Sequence, residues 1–437
     1  MRPMATVHFH VAHPCPEASF TLGHFFGELA GHTAVEVPDR ATFINMEGPR
    51  VAYGGEKIQG ALTIRPWALA GLLEPLPADP PMSTWQSMPV LFPVAEGDLP
   101  FDPVAGTYFH LTRMEEDHLP VEEHGRPRTS AMHAARHGYL HRPVVDEWLH
   151  AVLAYWRTVD PLAPQPQRTY SQTATMDVDN GAMYLGRAWW RTVGGTGRDL
   201  LKGRLGRVRD RAATLLGLRA DPYAVHGSFI RLAQENGART MLNFMAADRG
   251  EHDHAVEIRR GHMRRLLLGL EQGVEVGLHP GYHSSERPGT MAREKALLEE
   301  VLGGTVCSVR QHYLRYRTPV TQREAMACGM VEEHSMGLAD NIGFRAGTCS
   351  PWPFFDRSKR EVTTLRIHPF ALMDSALAYK MGLSPAAAMQ EACRLVDTVR
   401  RVNGCFISVW HERFLSGYGD ERGWEMLAPH IIRHARP

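Results

Sequence analysis

The stretch Val274-Glu-Val-Gly-Leu-His-Pro-Gly-Tyr-His283 decides the fold. Its first five residues form a short, mostly apolar run that predicts a strand over 274–278, and Pro280-Gly281 then predicts a loop. Apolar residues recur at helical spacing over 258–270 before this strand and over 291–302 after it. A strand between two helices is the repeating unit of a parallel β/α architecture.

The same alternation continues in both directions. A helix over 225–236 stops at Gly237, and a helix that begins after Ser384 and runs to about 402 is closed by Gly404. The predicted strands of this part of the chain are 169–176, 239–245, 274–278, 305–309 and 405–410. Strands that alternate with helices predict an α/β fold with a parallel sheet.

A proline-rich segment predicts a linker. Asp160-Pro-Leu-Ala-Pro-Gln-Pro-Gln167 contains three prolines in eight residues, which favours extended backbone. We therefore expect two domains, 1–160 and 168–437. The N-terminal part mixes a strand-like run over 61–65 with a helical pattern over 143–156, so we expect a smaller α/β or α+β domain whose role the sequence does not indicate.

Composition excludes several classes of protein. Forty-eight basic residues balance 48 acidic ones, so no global field recruits nucleic acid or an anionic membrane. The six cysteines contain no CxxC pair, which argues against a disulfide scaffold and a thiolate zinc site. The N-terminal sequence lacks the apolar core of a secretory signal, and no run approaches the roughly 18 apolar residues of a membrane span. These features predict a cytoplasmic protein without a transmembrane segment.

Metal-competent or proton-competent side chains follow three of the predicted strands. Asp177 and Asp179 follow the first, His279 follows the third and His411 follows the last. Active sites of parallel β/α folds collect at the C-terminal ends of the strands. Among the 24 histidines of the chain, location therefore distinguishes His279 and His411, and we expect all four residues to form one site.

Each piece of this site also has a plainer interpretation. Asp177-Val-Asp179 places two carboxylates on the same side of an extended chain, but Asp-Val-Asp-Asn-Gly is also a sequence typical of a surface turn. His279 and His283 could converge on one metal or could be two loop histidines in a histidine-rich protein. Two histidines and one carboxylate form a recognised ligand set for a catalytic divalent metal.

Two arginines are further candidates, and His411 has two interpretations. Arg315 and Arg345 could each orient a carboxylate base through a forked hydrogen bond, or could form a structural ion pair. His411, between Trp410 and Glu412, is either a proton donor or a histidine packed beside an aromatic ring.

The segment 187–219 is strongly basic. Nine Lys and Arg residues face only Asp199 and Asp210, and apolar residues recur at helical spacing. This pattern predicts either a basic amphipathic helix on a membrane surface or a solvated helix packed on the barrel.

The order of the motifs resembles that of polysaccharide deacetylases with the NodB homology fold (carbohydrate esterase family four). The motifs that carry this resemblance are Asp177-Val-Asp179, His279-Pro-Gly-Tyr-His283, Arg310-Gln-His-Tyr-Leu-Arg315 and the late strand that ends in His411. Ala339-Asp340, Gly343-Phe-Arg-Ala-Gly347 and Trp410-His411 resemble a bacterial subgroup with an additional N-terminal domain. The resemblance covers roughly 168–437. It implies a distorted (β/α) barrel that binds a divalent metal, Zn²⁺ above others, and removes acetyl groups from N- or O-acetylated sugars.

The resemblance also implies roles for individual residues. The general base would be Asp177, the metal ligands Asp179, His279 and His283, the base-positioning residue Arg315, the supporting carboxylate Asp340 and the proton donor His411. Further candidates near the site are His312, Arg345, Tyr282 and Trp410. Val178 separates two aspartates that are adjacent in the family, so the roles of Asp177 and Asp179 could be exchanged, and His312 could replace His283 as a ligand.

These observations predict a metal-dependent carbohydrate deacetylase that acts on a surface-polysaccharide precursor or another acetylated sugar, without nucleic acid. Two alternatives belong to other classes. One is a catalytically inactive carbohydrate-binding or assembly protein on the same barrel. The other is a glycosidase, in which two carboxylates flank the sugar without a metal.

Overall fold

The structure is a computed structural model that describes residues 4–68 and 76–437. The chain divides into two compact units. The first contains 1–171, 336–371 and 394–406, and the second contains 172–335, 372–393 and 407–437. The predicted domains 1–160 and 168–437 stay a prediction. What the structure adds is that two later segments group with the N-terminal part.

The N-terminal part begins with a small parallel sheet. Its strands are β1 (Thr6–Val11), β2 (Thr33–Glu36), β3 (Arg50–Tyr53), β4 (Leu62–Ile64), β5 (Met82–Trp85) and β6 (Met88–Leu91). Its helices are α1 (Pro16–Leu22), α2 (Arg40–Ile44), α3 (Pro103–Thr112), α4 (His133–Arg136) and α5 (Val144–Val159). The first four strands pair in parallel in the order β2-β1-β3-β4, and β5 and β6 form an antiparallel hairpin. The predicted strand 61–65 and helix 143–156 correspond to β4 and α5.

The rest of the chain alternates strands and helices as predicted. Its strands are β7 (Ser171–Val178), β8 (Arg239–Met245), β9 (Val274–His279), β10 (Ser308–Val309), β11 (Glu332–Glu333), β12 (Trp352–Asp356), β13 (Glu361–Ile367), β14 (Leu372–Met373) and β15 (Cys405–His411). Its helices are α6 (Trp189–Leu201), α7 (Leu205–Leu215), α8 (His226–Glu235), α9 (Gly261–Leu268), α10 (Thr290–Leu302), α11 (Val320–Ala327), α12 (Pro385–Arg401), α13 (Glu412–Ser416) and α14 (Leu427–His434).

The second unit is built on seven strands in the order β11-β10-β9-β8-β7-β15-β14. The pairs β7–β8, β8–β9, β9–β10, β10–β11 and β14–β15 are parallel. In the first unit, β12 and β13 form an antiparallel hairpin. The predicted α/β class with a parallel sheet is confirmed. The strand order is linear, and the strands of the described residues do not close into a barrel.

The sheet is buried because its strands are short apolar runs. In β7, every residue after Ser171 is buried, and so is every residue of β8 after Arg239. Strands covered on both faces have near-continuous apolar sequences rather than an alternating pattern. Polar side chains inside such strands therefore need partners, and those of Asp177 and Asn243 find each other.

The basic segment 187–219 forms two helices, α6 and α7, where the sequence predicts one. Gly203 lies between them with a φ of 65°, a left-handed conformation that favours glycine and interrupts the helix. Across 4–68 and 76–437, no helix has both the length and the apolar character that crossing a bilayer requires.

Candidate functional site

The strand ends of the second unit bring the candidate residues together. Asp177 lies near the end of β7, Asp179 is the first residue beyond it, and His279 and His411 are the last residues of β9 and β15. In the register of the sheet, Asp177 is opposite Asn243 of β8, which is opposite Gly277 of β9. The expectation that Asp177, Asp179, His279 and His411 form one cluster therefore agrees with the geometry.

Three side chains near these strand ends could hold a metal ion. The ligand atoms of Asp179, His279 and His312 all lie within 4.8 Å of one another. Nε2 of His279 lies 3.4 Å from Oδ1 of Asp179, and Nε2 of His312 lies 3.9 Å from the same oxygen. Two ligand atoms about 2.1 Å from a tetrahedral ion are separated by about 3.4 Å, so these distances suit a shared ion.

Both histidines are held so that one nitrogen faces Asp179. The Nδ1–H of His279 donates to the carbonyl oxygen of Arg310 at 2.6 Å, and the Nδ1–H of His312 donates to Oδ1 of Asp253 at 2.8 Å. Because Nδ1 carries the proton in each neutral ring, Nε2 is left with its lone pair toward Asp179. Asp253 is itself held by the backbone N–H of Tyr282.

The electrostatics also suit a cation. Oδ1 of Asp179 is buried and accepts no hydrogen bond from any residue in 4–68 or 76–437. Burial opposes ionisation, but His279, His411 and His312 hold the pKa of Asp179 far below its usual value. Burial lowers the pKa of His279, yet Asp177 and Asp179 outweigh it and raise that pKa. The space between these groups attracts positive charge, so the residues fit a divalent metal with two histidines and one carboxylate.

Asp177 is fixed by neighbouring side chains rather than by the candidate metal ligands Asp179, His279 and His312 (the metal group). Its Oδ1 accepts hydrogen bonds from Nη1 of Arg310 at 2.8 Å and from Nδ2 of Asn243 at 2.9 Å. Burial raises the pKa of Asp177, but Arg310, His279 and His411 together outweigh it and keep the pKa below its usual value. Its Oδ2 makes no hydrogen bond within the described residues. An ionised carboxylate with one anchored and one available oxygen is suited to accept a proton.

Arg310 is itself locked in place. It is fully buried, its Nε donates to the carbonyl oxygen of His334 at 2.9 Å, and its Nη1 also donates to Oγ1 of Thr175 at 2.7 Å. A guanidinium fixed at several donors holds its carboxylate partner in one geometry. Arg310 therefore determines where the Asp177 oxygens lie.

Gly277 makes room for the second partner of Asp177. A Cβ at this position would lie 2.2 Å from Oδ1 of Asn243, far inside van der Waals contact. Only glycine leaves space for the Asn243 amide between β7 and β9.

His411 is oriented by a carboxylate that the sequence analysis did not identify. Its Nδ1 lies 2.6 Å from Oδ1 of Asp374, and its backbone N–H donates to Oδ2 at 2.7 Å. Burial lowers the pKa of His411, but the charge and hydrogen bond of Asp374, together with the Asp179 charge, outweigh it and raise the pKa to about 9. Nε2 of His411 lies 3.9 Å from Oδ2 of Asp179. A protonated Nε2 therefore faces the metal group from β15.

The structure does not bring His283 to the metal group. Its side chain is about half exposed, and its Nδ1 lies 3.0 Å from Oε2 of Glu286. The reason is the loop after β9. Gly281 and Tyr282 are pinned by their backbone N–H groups to Glu294 and Asp253, so the next residue turns outward. His312 is the second histidine beside Asp179, as the open alternative allowed.

Arg315 also lies elsewhere than expected. Its guanidinium carbon is 3.9 Å from the centre of the Tyr282 ring, its Nη1 donates to the Tyr282 carbonyl and its Nη2 pairs with Glu286. The chain turns between Arg310 and Arg315 because Tyr313 and Leu314 adopt positive φ angles of 57° and 53°. The arginine at the strand end, Arg310, therefore contacts Asp177, whereas Arg315 supports the buried Tyr282.

Three other candidates have structural partners. Asp340, exposed in the first unit, accepts a hydrogen bond from Thr129. Arg345 of the same unit forms a forked pair with Glu116 at 2.8 and 2.9 Å, which is the ion-pair alternative of the sequence analysis. Trp410 is buried in β15, and its indole N–H donates to Ser408 at 2.9 Å.

Three polar residues of the site were missed by sequence reasoning. Asn243 lies within β8, Asp253 lies in the loop after β8, and Asp374 follows the two-residue strand β14. The strand-end criterion could have found Asp374, had so short a strand been recognised. An asparagine inside an otherwise apolar strand was the available signal for Asn243, because a buried amide needs a partner.

Comparisons with known proteins give limited matches. Residues 7–160 match a family described as "Family of unknown function (DUF7033)". No curated protein matches the sequence. Among solved structures, the chain is similar to one described as a polysaccharide deacetylase from Mycobacterium smegmatis, with a TM-score of 0.39 and 15% identity over 61% of this chain and 82% of the other.

A second similar structure is a family 4 carbohydrate esterase from Streptomyces lividans in complex with acetate. The TM-score is 0.30 and the identity 10%, over 61% of this chain and 88% of the other. Because both TM-scores are low, what this site can do follows from its own geometry.

Proposed function

We propose that this protein is a metal-dependent hydrolase that removes acetyl groups from an N- or O-acetylated carbohydrate, on a scaffold of the NodB type. One observation carries the proposal. Two histidines anchored at Nδ1 direct Nε2 toward a buried Asp179 oxygen that has no hydrogen-bond partner among the described residues. A fixed carboxylate, Asp177, and a histidine paired with a carboxylate, His411, flank this group.

Asp179, His279 and His312 would hold the metal, and their mixed nitrogen and oxygen donors suit Zn²⁺. When bound, such an ion lowers the pKa of water toward about 7 and polarises an acyl oxygen. The position of Asp179 favours hydrolysis of an acyl bond over the glycosidase alternative. A glycosidase needs its two carboxylates on opposite sides of a sugar, whereas the Asp179 carboxylate faces His279 and His312.

Asp177 is proposed as the general base. Arg310 and Asn243 occupy one of its oxygens, so a proton taken from the attacking water goes to the other. The charges of Arg310, His279 and His411 keep the carboxylate ionised until it takes that proton. A positioned base typically contributes about 10²–10⁴-fold to the rate.

His411 is proposed as the general acid. Asp374 holds its Nδ1–H, so the proton that leaves is the one on Nε2, which faces the site. Cleavage of an amide or an ester needs a proton on the departing nitrogen or oxygen, and His411 would supply it. The acetylated sugar and the surface-polysaccharide precursor are part of the proposal and rest on the sequence motifs.

The direct test measures metal and acetate together. Purified protein loaded with Zn²⁺ should bind about one ion per chain and release acetate from tetra-acetylchitotetraose or an O-acetylated xylan. Asp179→Ala should lose both the metal and the acetate release, whereas the matched variant Asp340→Ala should keep both. Retention of the metal in an Asp179→Ala, His279→Ala double variant would refute this site.

A further inference from the structure

The hairpin formed by α6 and α7 exposes its large apolar side chains. Asp199 is the one buried residue of α6, and Thr214 is the one buried residue of α7. The exposed apolar residues of 187–219 are Trp189, Trp190, Val193, Leu200, Leu201, Leu205, Leu215, Leu216 and Leu218. Trp189 is 78% exposed and Leu201 is 91% exposed. Surface helices of globular proteins normally turn their apolar stripe inward, so this hairpin is inverted.

Polar contacts join the two helices. Arg211 of α7 donates to Asp199 of α6 at 2.6 Å and to Oγ1 of Thr196 at 3.0 Å. The guanidinium lies over Gly195, where a Cβ would be 3.2 Å away. The seam between α6 and α7 is thus built from charge and hydrogen bonds. The apolar side chains outside it are not needed to hold the hairpin together.

The exposed apolar residues of α6 share one face. At roughly 100° per residue, Trp189, Trp190, Val193, Leu200 and Leu201 fall within an arc of about 120°. On the same projection, Arg198 and Arg191 lie about 60–80° beyond one edge of this arc, and Asp199 lies about 80° beyond the other edge. An apolar face with basic residues along one edge, and with its acidic residue already paired to Arg211, is the pattern of a helix that lies in a membrane interface.

The charge of the hairpin selects the partner. The segment 187–219 has nine basic residues and two acidic ones, and both acids are already paired: Asp199 with Arg211, and Asp210 with Arg219. The basic residues Arg191, Arg198, Lys202 and Arg204 form no ion pair with any residue of 4–68 or 76–437. Arg191 instead lies 4.8 Å from the Trp190 ring. Free cations beside exposed tryptophan and leucine match anionic headgroups above an acyl layer.

We propose that the α6–α7 hairpin is a membrane-binding surface that attaches this protein to anionic lipid. The apolar arc of α6 enters the boundary of the acyl chains, and the unpaired arginines and lysine contact the lipid phosphates. The inference does not depend on the proposed hydrolase activity. It does explain how a chain with zero net charge could bind an anionic surface, because its positive charge is local.

Vesicle binding tests the proposal on the full chain. The probes are vesicles of phosphatidylcholine alone and vesicles in which roughly a third of the lipid is phosphatidylglycerol. We expect sedimentation with the anionic vesicles only, weakening as salt is raised, because exposed charges are screened. Trp189→Ser with Leu201→Ser should lower the partition coefficient at least about tenfold, and so should Arg198→Gln with Arg204→Gln.

The matched control is Leu268→Ser, which removes a 55% exposed leucine from α9 and should bind vesicles like the unchanged protein. Circular dichroism and the melting temperature verify that each variant is folded. Three results would overturn the proposal: no binding to anionic vesicles, equal binding by the hairpin variants and the control, or binding to both vesicle types alike. Loss of a lipid-free dimer in the Leu201→Ser variant would show that a second copy covers this face instead.

Discussion

Two largely buried arginine–carboxylate pairs, one in each unit, differ in how many carboxylate oxygens they leave without a hydrogen bond. In the first unit, Arg345 bonds both oxygens of Glu116, and Arg113 bonds one of them as well. In the second unit, Arg310 and Asn243 both bond the same oxygen of Asp177. Glu116 is fully engaged and can only hold structure together. Asp177 has one oxygen, Oδ2, that can still accept a proton. The number of carboxylate oxygens that already accept hydrogen bonds therefore distinguishes a structural ion pair from a candidate base.

The largest expected effect is on turnover. Asp177→Asn should lower kcat for acetate release by about 10²–10⁴-fold, because an amide cannot accept the proton. Metal content should stay unchanged, since Asp179, His279 and His312 remain. Activity assays together with metal analysis check both outcomes. The matched variant is Glu116→Gln, which should leave kcat unchanged at temperatures where the protein is folded. A similar loss of kcat in both variants would contradict the comparison.

The next effect is on stability. Arg345→Met should lower the free energy of unfolding by about 1.5–3 kcal/mol, because it removes the hydrogen bonds of Arg345 to the Glu116 carboxylate, which keeps Arg113 as its partner. Urea unfolding measures this change. Arg317→Met replaces an exposed arginine outside both pairs; it serves as the comparison and should lower the free energy of unfolding much less. If Arg345→Met is as stable as the unchanged protein, the Glu116 pair does not support the fold.

The pH dependence of stability follows from the same pair. Burial raises the pKa of Glu116, but Arg345 and Arg113 outweigh it and lower the pKa from 4.5 to about 2. The pKa is lowered in the folded state, so this contribution to stability is complete above pH 4.5 and is lost as the pH falls toward 2. Unfolding measured from pH 6 to pH 3 should show this loss in the unchanged protein. The free energy of unfolding should fall less steeply with decreasing pH in Glu116→Gln. Equal slopes in the two proteins would exclude Glu116 as the source of this pH dependence.

The smallest expected effect concerns Gly277. Gly277→Ala should displace the Asn243 amide, removing one of the two hydrogen bonds to Asp177. We expect a loss of about 1–3 kcal/mol in the free energy of unfolding and a fall in kcat that is smaller than that of Asp177→Asn. Gly304→Ala meets no atom within 4 Å and is the control. Unchanged kcat in a destabilised Gly277→Ala would show that Asn243 does not position the base.

Much of the second unit could be predicted from the sequence. The strand over 239–245 was predicted with the bounds of β8, and the strand-end rule brought Asp177, Asp179, His279 and His411 together. Periodicity works here because buried parallel strands are apolar runs with polar residues only at their ends.

The partners of these residues could not be predicted in the same way. Arg310 and Arg315 lie in one motif, and the choice between them depends on the positive φ angles of Tyr313 and Leu314, which neither residue type favours. Likewise, β14 has two residues, too few to show a period, so the sequence did not point to Asp374. The sequence of 336–371 likewise contains no local pattern that would assign this late segment to the first unit.

The row formed by Asp177, Asn243 and Gly277 has a consequence for engineering. The three positions lie on neighbouring strands in register, and each side chain sets the space left for the next. A library that varies position 277 alone would return proteins of lowered stability and activity, because every side chain larger than that of glycine collides with Asn243. Joint randomisation of 243 and 277 is the way to recover activity, and recovered pairs should keep their combined volume nearly constant.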